Sequence, residues 1–242
     1  MNDSSDDTTA RILYEDSHCF VINKRPGEAV QGNPQGMASL PGMPAVRKGF
    51  RAVSVHRLDV PVSGACLFAR TSKSLSFLNT AFAEGQVEKY YRAILEKPPA
   101  DLRIPEAGEL VHWIKTDAIR NKSLAYPEPV SGSKKGTLQY RITGWGERYF
   151  FMEIKLITGR HHQIRAQLAA LGLCIKGDLK YGARRSEPGG GIRLHSYSLS
   201  FPNPAQPEAR IHVTAPPPVR DRLWDHALPD GPVISVEGAQ EI

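Results

Sequence analysis

Apolar and polar positions alternate with period two through most of the patterned stretches of this chain, and two stretches carry a helical period instead. Residues 11–14 and 19–24 (CFVINK) are short apolar runs divided by Glu15, Asp16 and Ser17. They predict a strand pair around a turn that ends at Pro26 and Gly27. Residues 65–69 are continuously apolar, as a strand buried on both faces would be. Residues 87–96 (VEKYYRAILE) alternate with Val87, Lys89, Tyr91 and Ala93 on one face, so Lys89 and Tyr91 are predicted to project together. Residues 137–143 and 149–156 alternate around Gly144 to Glu147 as a hairpin does. Further strands are predicted at 110–114, 123–125, 193–201 and 209–214.

The two helical stretches have definite ends. Leu75, Leu78 and Phe82 mark a helix that Thr71 or Ser72 caps and Gly85 stops. Ile164, Leu168 and Leu171 mark a second, with Thr158 as the candidate N-cap and Gly172 after its last turn. Arg165 sits at the edge of that apolar stripe. A guanidinium there is partly desolvated and needs a carboxylate partner. Between the patterned stretches lie a Gly- and Pro-rich loop at 30–49 and a basic loop at 183–191 (ARRSEPGGG). Residues 1–10 are polar and acidic and read as a disordered tail, residues 11–215 as one domain, and residues 216–242 as a C-terminal tail.

Composition narrows the function classes. Hydrophobic content of 40% and charged content of 23% are ordinary for a soluble globular protein, and no apolar run approaches a bilayer span. A cytoplasmic, monomeric protein without a membrane anchor is the expectation. Cys19, Cys66 and Cys174 form no CxxC pair and read as buried thiols. The net charge of +6 is concentrated in three clusters, at residues 47–57, 155–165 and 176–193, which suits a polyanion such as nucleic acid. Neither GxGxxG nor GxxxxGK occurs, and adjacent His161 and His162 do not make the i, i+4 pair of a zinc helix. No nucleotide cofactor and no metal are expected.

The chemistry concentrates at residues 55–70 (VHRLDVPVSGACLFAR), where Asp59 follows His56 and Arg57 and a turn leads into the apolar strand. Taken alone this is an acid in a surface ion pair. Four blocks in order change that: residues 11–27 (RILYEDSHCFVINKRPG), the 55–70 stretch, residues 88–93 (EKYYRA) and residues 156–182 (LITGRHHQIRAQLAALGLCIKGDLKYG). Together they resemble the RluA-type family of RNA pseudouridine synthases. The resemblance implies an α+β fold, a mixed, largely antiparallel bent β-sheet with flanking helices and loops. It also implies isomerisation of uridine to pseudouridine in structured tRNA or rRNA, without a cofactor.

By the same resemblance Asp59 matches the nucleophile, Arg165 its ion-pair partner, which holds the carboxylate ionised, and Tyr91 the tyrosine that packs on the uracil and serves as general base; the alternative for Arg165 is a structural bridge to Asp178 alone. Arg57 matches an arginine that fills the space left by the extruded base, extrusion being required because a stacked base hides the reacting bonds. Leu156 and Ile175 are candidate apolar walls, and His56, Arg160, His162, Gln163, Lys176, Arg184 and Arg185 candidate RNA contacts. The chain departs from the family pattern at Val60 to Gly64, where Thr commonly precedes Ser-Gly. It departs again at Gln167 for His, at Cys174 for Pro and at residues 28–31. No N-terminal stretch is long enough for the small RNA-binding domain some members carry, which leaves RNA selection to loops 30–49 and 183–191. Two other readings stand beside this one. One is an inactive RNA-binding protein on the same scaffold, and the other a metal-dependent hydrolase built on His56, Asp59, His161 and His162.

Overall fold

The computed structural model describes residues 11–31, 39–40, 52–98 and 102–227. The predicted N-terminal tail, most of the loop at 30–49 and the last fifteen residues of the predicted C-terminal tail lie outside them.

Among the described residues eleven strands form one sheet: β1 (Ile12–Glu15), β2 (Cys19–Lys24), β3 (Val53–Ser54), β4 (Ser63–Ala69), β5 (Glu88–Glu96), β6 (Ala107–Asp117), β7 (Lys122–Tyr126), β8 (Lys134–Trp145), β9 (Tyr149–Leu156), β10 (Leu194–Pro202) and β11 (Arg210–Thr214). Their order is β1-β2-β4-β10-β5-β9-β8-β6-β7, with β3 paired to β4 and β11 to β10. Among the described strands only β4 and β10 pair in parallel, through Ser63, Gly64, His195 and Ser196. There Gly64, at φ +115°, lies so close to β10 that a Cβ would stand 2.2 Å from the Ser196 carbonyl oxygen. Only glycine fits at this second residue of β4.

Period-two alternation divides the core between the two faces of the sheet. Cys66 and Phe68 of β4, Tyr91, Ala93 and Leu95 of β5, and Met152 and Ile154 of β9 belong to one core cluster, to which helix α2 (Gln163–Ala170), packed on β6 and β7, contributes Ile164 and Leu168. On the other face Ala65, Leu67 and Ala69 meet Leu78 and Ala81 of helix α1 (Ser72–Ala83), whose Thr71 hydroxyl accepts the Ser74 N–H. β4 and β10 are therefore buried along their whole length. No helix among the described residues is long and apolar enough to cross a membrane.

Several expectations need correction. β6 and β7 are longer than the short strands predicted at 110–114 and 123–125, because this hairpin stands largely exposed and no alternation is required of it. Thr158 does not cap α2: the helix begins at Gln163 behind His162, which holds the left-handed conformation at φ 50°. Thr158 instead donates its hydroxyl to Gln163 Oε1 at 2.7 Å and accepts the Thr137 N–H at 2.8 Å, tying the turn before α2 to β8. Residues 216–227 are not a tail. Asp221 Oδ1 accepts the N–H groups of Leu223 and Trp224 at the start of helix α3 (Arg222–Ala227), and Trp224 is buried against Ile94 and Phe151. Of the three cysteines, Cys19 and Cys66 are buried and Cys174 only half-buried.

Candidate active site

The loop from β3 to β4 carries Asp59, and the residues after it are held from three sides. A turn closes with the Val62 N–H on the Asp59 carbonyl at 3.0 Å, Gly27 N–H donates to the Val60 carbonyl and Ile192 N–H to that of Pro61. Beneath them the buried ammonium of Lys24, at the end of β2, donates to the carbonyls of Arg25, Val60 and Val62 at 2.9, 3.0 and 2.5 Å. Burial lowers the Lys24 pKa to about 8. Three carbonyl acceptors satisfy the three donors of an ammonium, which is how a lysine persists in this core. Nothing in the apolar run CFVINK marks Lys24 as a support of the site.

Asp59 lines a cleft of about 320 Å³ together with Arg57, Tyr91, Leu156 and the first turn of α2. Arg165 Nη1 donates to Asp59 Oδ2 at 3.1 Å. The same guanidinium grips Asp178 with Nε at 2.7 Å and Nη2 at 2.8 Å, and its carbon lies 4.8 Å from the centre of the Tyr181 ring. The carboxylate that Arg165 needs is thus two carboxylates, one buried and structural and one facing the cleft. Asp178, its hydrogen bonds and its charge raise the Arg165 pKa against the opposing effect of burial.

Tyr181 is not among the residues the sequence singles out. Its phenol oxygen accepts the Ser123 N–H at 2.8 Å, and the Ser123 carbonyl and His162 Nδ1 lie 3.1 and 3.0 Å away. The one phenolic proton serves one of those two acceptors at a time. His162 Nε2 in turn faces Asp59 Oδ2 at 3.6 Å, and burial, then the Arg165 charge, lowers the His162 pKa far enough to keep the ring neutral. Proton placement at Tyr181 therefore decides whether His162 offers Asp59 an N–H or a lone pair. His161 stacks on His162 with centroids 3.9 Å apart and has Nδ1 2.9 Å from the Ser123 hydroxyl. The signal for this network is the tyrosine three residues after Asp178 in the last of the four blocks.

Tyr91 presents its ring to the cleft from β5. Burial, followed by the Asp59 charge, raises its pKa well above the ordinary phenol value, against a lowering contact from Ser196. The free site thus offers a neutral aromatic face and a hydroxyl, not a phenolate. Lys89, two residues earlier on β5, is not itself in the cleft lining: its ammonium lies over the Phe82 ring at 5.5 Å, beside Gly159 of the cleft wall, with its pKa lowered to about 8 by burial.

The other predicted contacts divide. Arg57, Leu156, Arg160, His162 and Gln163 line the cleft, with Arg57 exposed at the mouth and Arg160 tethered by Nε to the Lys135 carbonyl at 3.0 Å. Gln163 works as a brace, its Oε1 accepting from Thr158 and from the Arg160 N–H, its Nε2 donating to the Thr137 carbonyl. His56 turns away: Nε2 accepts the Leu67 N–H at 3.0 Å and the ring stacks on Phe82. Burial and the Lys89 charge lower its pKa to about 3, so it is a neutral structural ring. Ile175 is core and bridges to Leu95 without lining the cleft. Lys176, Arg184 and Arg185 line a different cleft. Among the described residues no three His, Cys, Asp or Glu side chains converge as metal ligands, because His56 is engaged elsewhere and His161 points to Ser123.

Comparison with known proteins agrees with this geometry. Residues 18–170 match the family model described as RNA pseudouridylate synthase. The chain is 32% identical over 226 residues to ribosomal large subunit pseudouridine synthase D of Xylella fastidiosa, covering 86% of this chain and 66% of the relative. It is 28% identical over 220 residues to ribosomal large subunit pseudouridine synthase C of Vibrio cholerae, covering 85% and 65%. The chain thus spans just under two thirds of those two relatives. It spans 87% of an uncharacterized RNA pseudouridine synthase of Zymomonas mobilis, at 32% identity over 203 residues and 79% of this chain. In fold it resembles human RNA pseudouridylate synthase domain containing 4, with a TM-score of 0.71 at 22% identity, covering 92% of this chain and 93% of the other. Human RNA pseudouridylate synthase domain containing 1 gives 0.69 at 23% identity, over 86% and 83%. With the family model covering well over half of its length, the chain belongs to the RNA pseudouridylate synthases of the RluA type.

Proposed function

We propose that this protein isomerises uridine to pseudouridine in structured RNA, with Asp59 as the nucleophile, and that ribosomal RNA of the large subunit is the first substrate to test. The observation that carries this reading is Asp59 itself. Its carboxylate lies in an open cleft, tethered through Arg165 to the buried Asp178 and facing the Tyr91 ring across apolar walls. The reaction breaks the C1′–N1 bond, turns the uracil within the cleft and forms a C1′–C5 bond; the C5 proton leaves and N1 takes up a proton, so the product is an isomer of the substrate. Nothing is oxidised, reduced or consumed.

The residues suit those steps. Arg165 keeps a carboxylate charge directed at the sugar and costs no reorganisation, because Asp178 already fixes it. The Tyr91 face holds a detached uracil by stacking, which tolerates its rotation in plane. Leu156 and Val62 exclude water from the broken bond. Arg57, exposed at the mouth, occupies the gap in the RNA left by the extruded nucleotide. Tyr91 acts through its face and its neutral hydroxyl.

The relatives named for the large ribosomal subunit favour rRNA over tRNA as the first substrate. A monomer working in the cytoplasm is part of the same reading. The test is incubation with large-subunit rRNA and with tRNA, each carrying tritium at uridine C5. Release of tritium to water from the rRNA is expected, and no release from either pool would leave an RNA-binding protein without this activity.

A further inference from the structure

We propose that a second cleft, at the far ends of β5 and β9 from Asp59, binds the sugar-phosphate backbone of single-stranded RNA flanking the target uridine. The proposal rests on the isomerase reading only for the statement that one RNA occupies both clefts.

The second cleft has about 540 Å³ and is lined by Lys97, Arg148, Lys176, Arg184 and Arg185 against one carboxylate, Glu96. Arg184 donates its backbone N–H to Glu96 Oε1 at 3.1 Å and keeps its side chain 84% exposed. Lys176 is tied to Glu187 and lies 5.7 Å from the centre of the Tyr149 ring, which forms part of the wall. Lys97, Arg148 and Arg185 are exposed and have no carboxylate partner among the described residues. Three unneutralised cations around a half-exposed aromatic ring match what a nucleic-acid single strand requires: charge for phosphates and a face for a base. Of the five cations, the sequence predicts Lys176, Arg184 and Arg185 as RNA contacts. Lys97 and Arg148 join them because Lys97 N–H donates to the Arg148 carbonyl at 3.1 Å, where β5 and β9 end together.

The placement fits a strand that continues from the uridine. Tyr91 and Glu96 are five residues apart on β5, about 17 Å, and Leu156 and Tyr149 seven apart on β9, about 23 Å. The segment between the clefts is fixed at both: Lys176 N–H donates to the Ile94 carbonyl, and two residues on Asp178 holds Arg165. A backbone spanning that distance is held at one end by the extruded nucleotide and at the other by these cations.

The test is the salt dependence of binding to an oligouridylate of about twenty nucleotides. Each phosphate contact on a single strand contributes about 0.7 to the slope of log K against log salt, so Lys97→Ala with Arg148→Ala should lower the slope by about 1.4. Lys97→Arg with Arg148→Lys should keep it, and both pairs should melt with the native protein, their side chains being exposed. Tyr149→Leu should weaken binding roughly tenfold at an unchanged slope. A native slope in the double alanine protein would overturn the proposal. Absence of tritium release from the native protein would remove the isomerase reading while leaving this measurement valid.

Discussion

Arg165 and Asp178 are joined by two parallel hydrogen bonds of 2.7 and 2.8 Å, both side chains being buried, and the arginine extends its remaining arm to Asp59. Such a fork fixes the guanidinium plane as a lysine could not. Removing one partner of a buried pair leaves an uncompensated charge. Asp178→Ala should therefore cost about 3–5 kcal/mol of stability by urea unfolding. Asp178→Asn should fold better and still slow tritium release by tenfold or more. An Asp178→Asn protein as fast as the native one would show that Arg165 needs no such anchor.

Asp59→Asn replaces the cleft carboxylate with an amide of the same shape, while Arg165 keeps Asp178. Turnover should fall below detection, with the melting temperature and RNA affinity near native. Measurable tritium release from this variant would place the nucleophile elsewhere.

Tyr181→Phe keeps the ring beneath Arg165 and deletes the oxygen that receives the Ser123 N–H and faces His162. An orphaned buried N–H should cost about 1–3 kcal/mol. His162 also loses the partner of Nδ1, so the rate at saturating RNA should fall more than the RNA concentration needed to reach half of it rises. Nitrogen NMR of His162 should report a changed tautomer balance. An unaltered spectrum would confine Tyr181 to a packing role.

His195 is fully buried, with Nε2 donating to the Ala215 carbonyl at 3.0 Å and Nδ1 accepting from the Ser63 hydroxyl at 2.9 Å. Burial lowers its pKa to about 4, against about 6.5 in an unfolded chain. Between those values the unfolded state binds the extra proton, so stability rises with pH. The contribution is complete above pH about 6.5 and is lost as pH falls towards 4, amounting to at most about 3 kcal/mol. Urea midpoints should fall across that window, and His195→Gln should flatten this part of the profile. An identical profile in the variant would assign the loss to other groups.

Trp224 packs on Ile94 and Phe151 and meets the His195 ring edge-on at 5.6 Å. Arg193 adds an ion pair to Asp221 at 2.5 Å at the head of α3. Trp224→Ala should destabilise the domain by about 3–5 kcal/mol, and truncation after residue 215 by at least as much. A truncated chain with native unfolding would separate α3 from the cooperative unit.

The strands whose alternation answers to a core are legible in the order of residues alone. β2 and β9 run over the predicted residues, and β4, β5, β10 and β11 differ from theirs by two residues or fewer at either end. The same pattern logic demands a carboxylate for Arg165, and the four ordered blocks single out Asp59 and Tyr91, which do share a cleft with it. Where side chains answer to no core, as on the exposed hairpin of β6 and β7, the pattern is weak and underestimates the strands. Tertiary structure alone decided which carboxylate Arg165 takes, because Asp178 and Asp59 approach it from segments over a hundred residues apart. It decided that His56, beside Asp59 in sequence, turns to Leu67 and Phe82. It also gathered Lys97 and Arg148 with the basic loop, since two strand ends meet only in the folded sheet. Sequence period reports which face is buried; which polar groups converge depends on how separate segments cross, and no local pattern carries that.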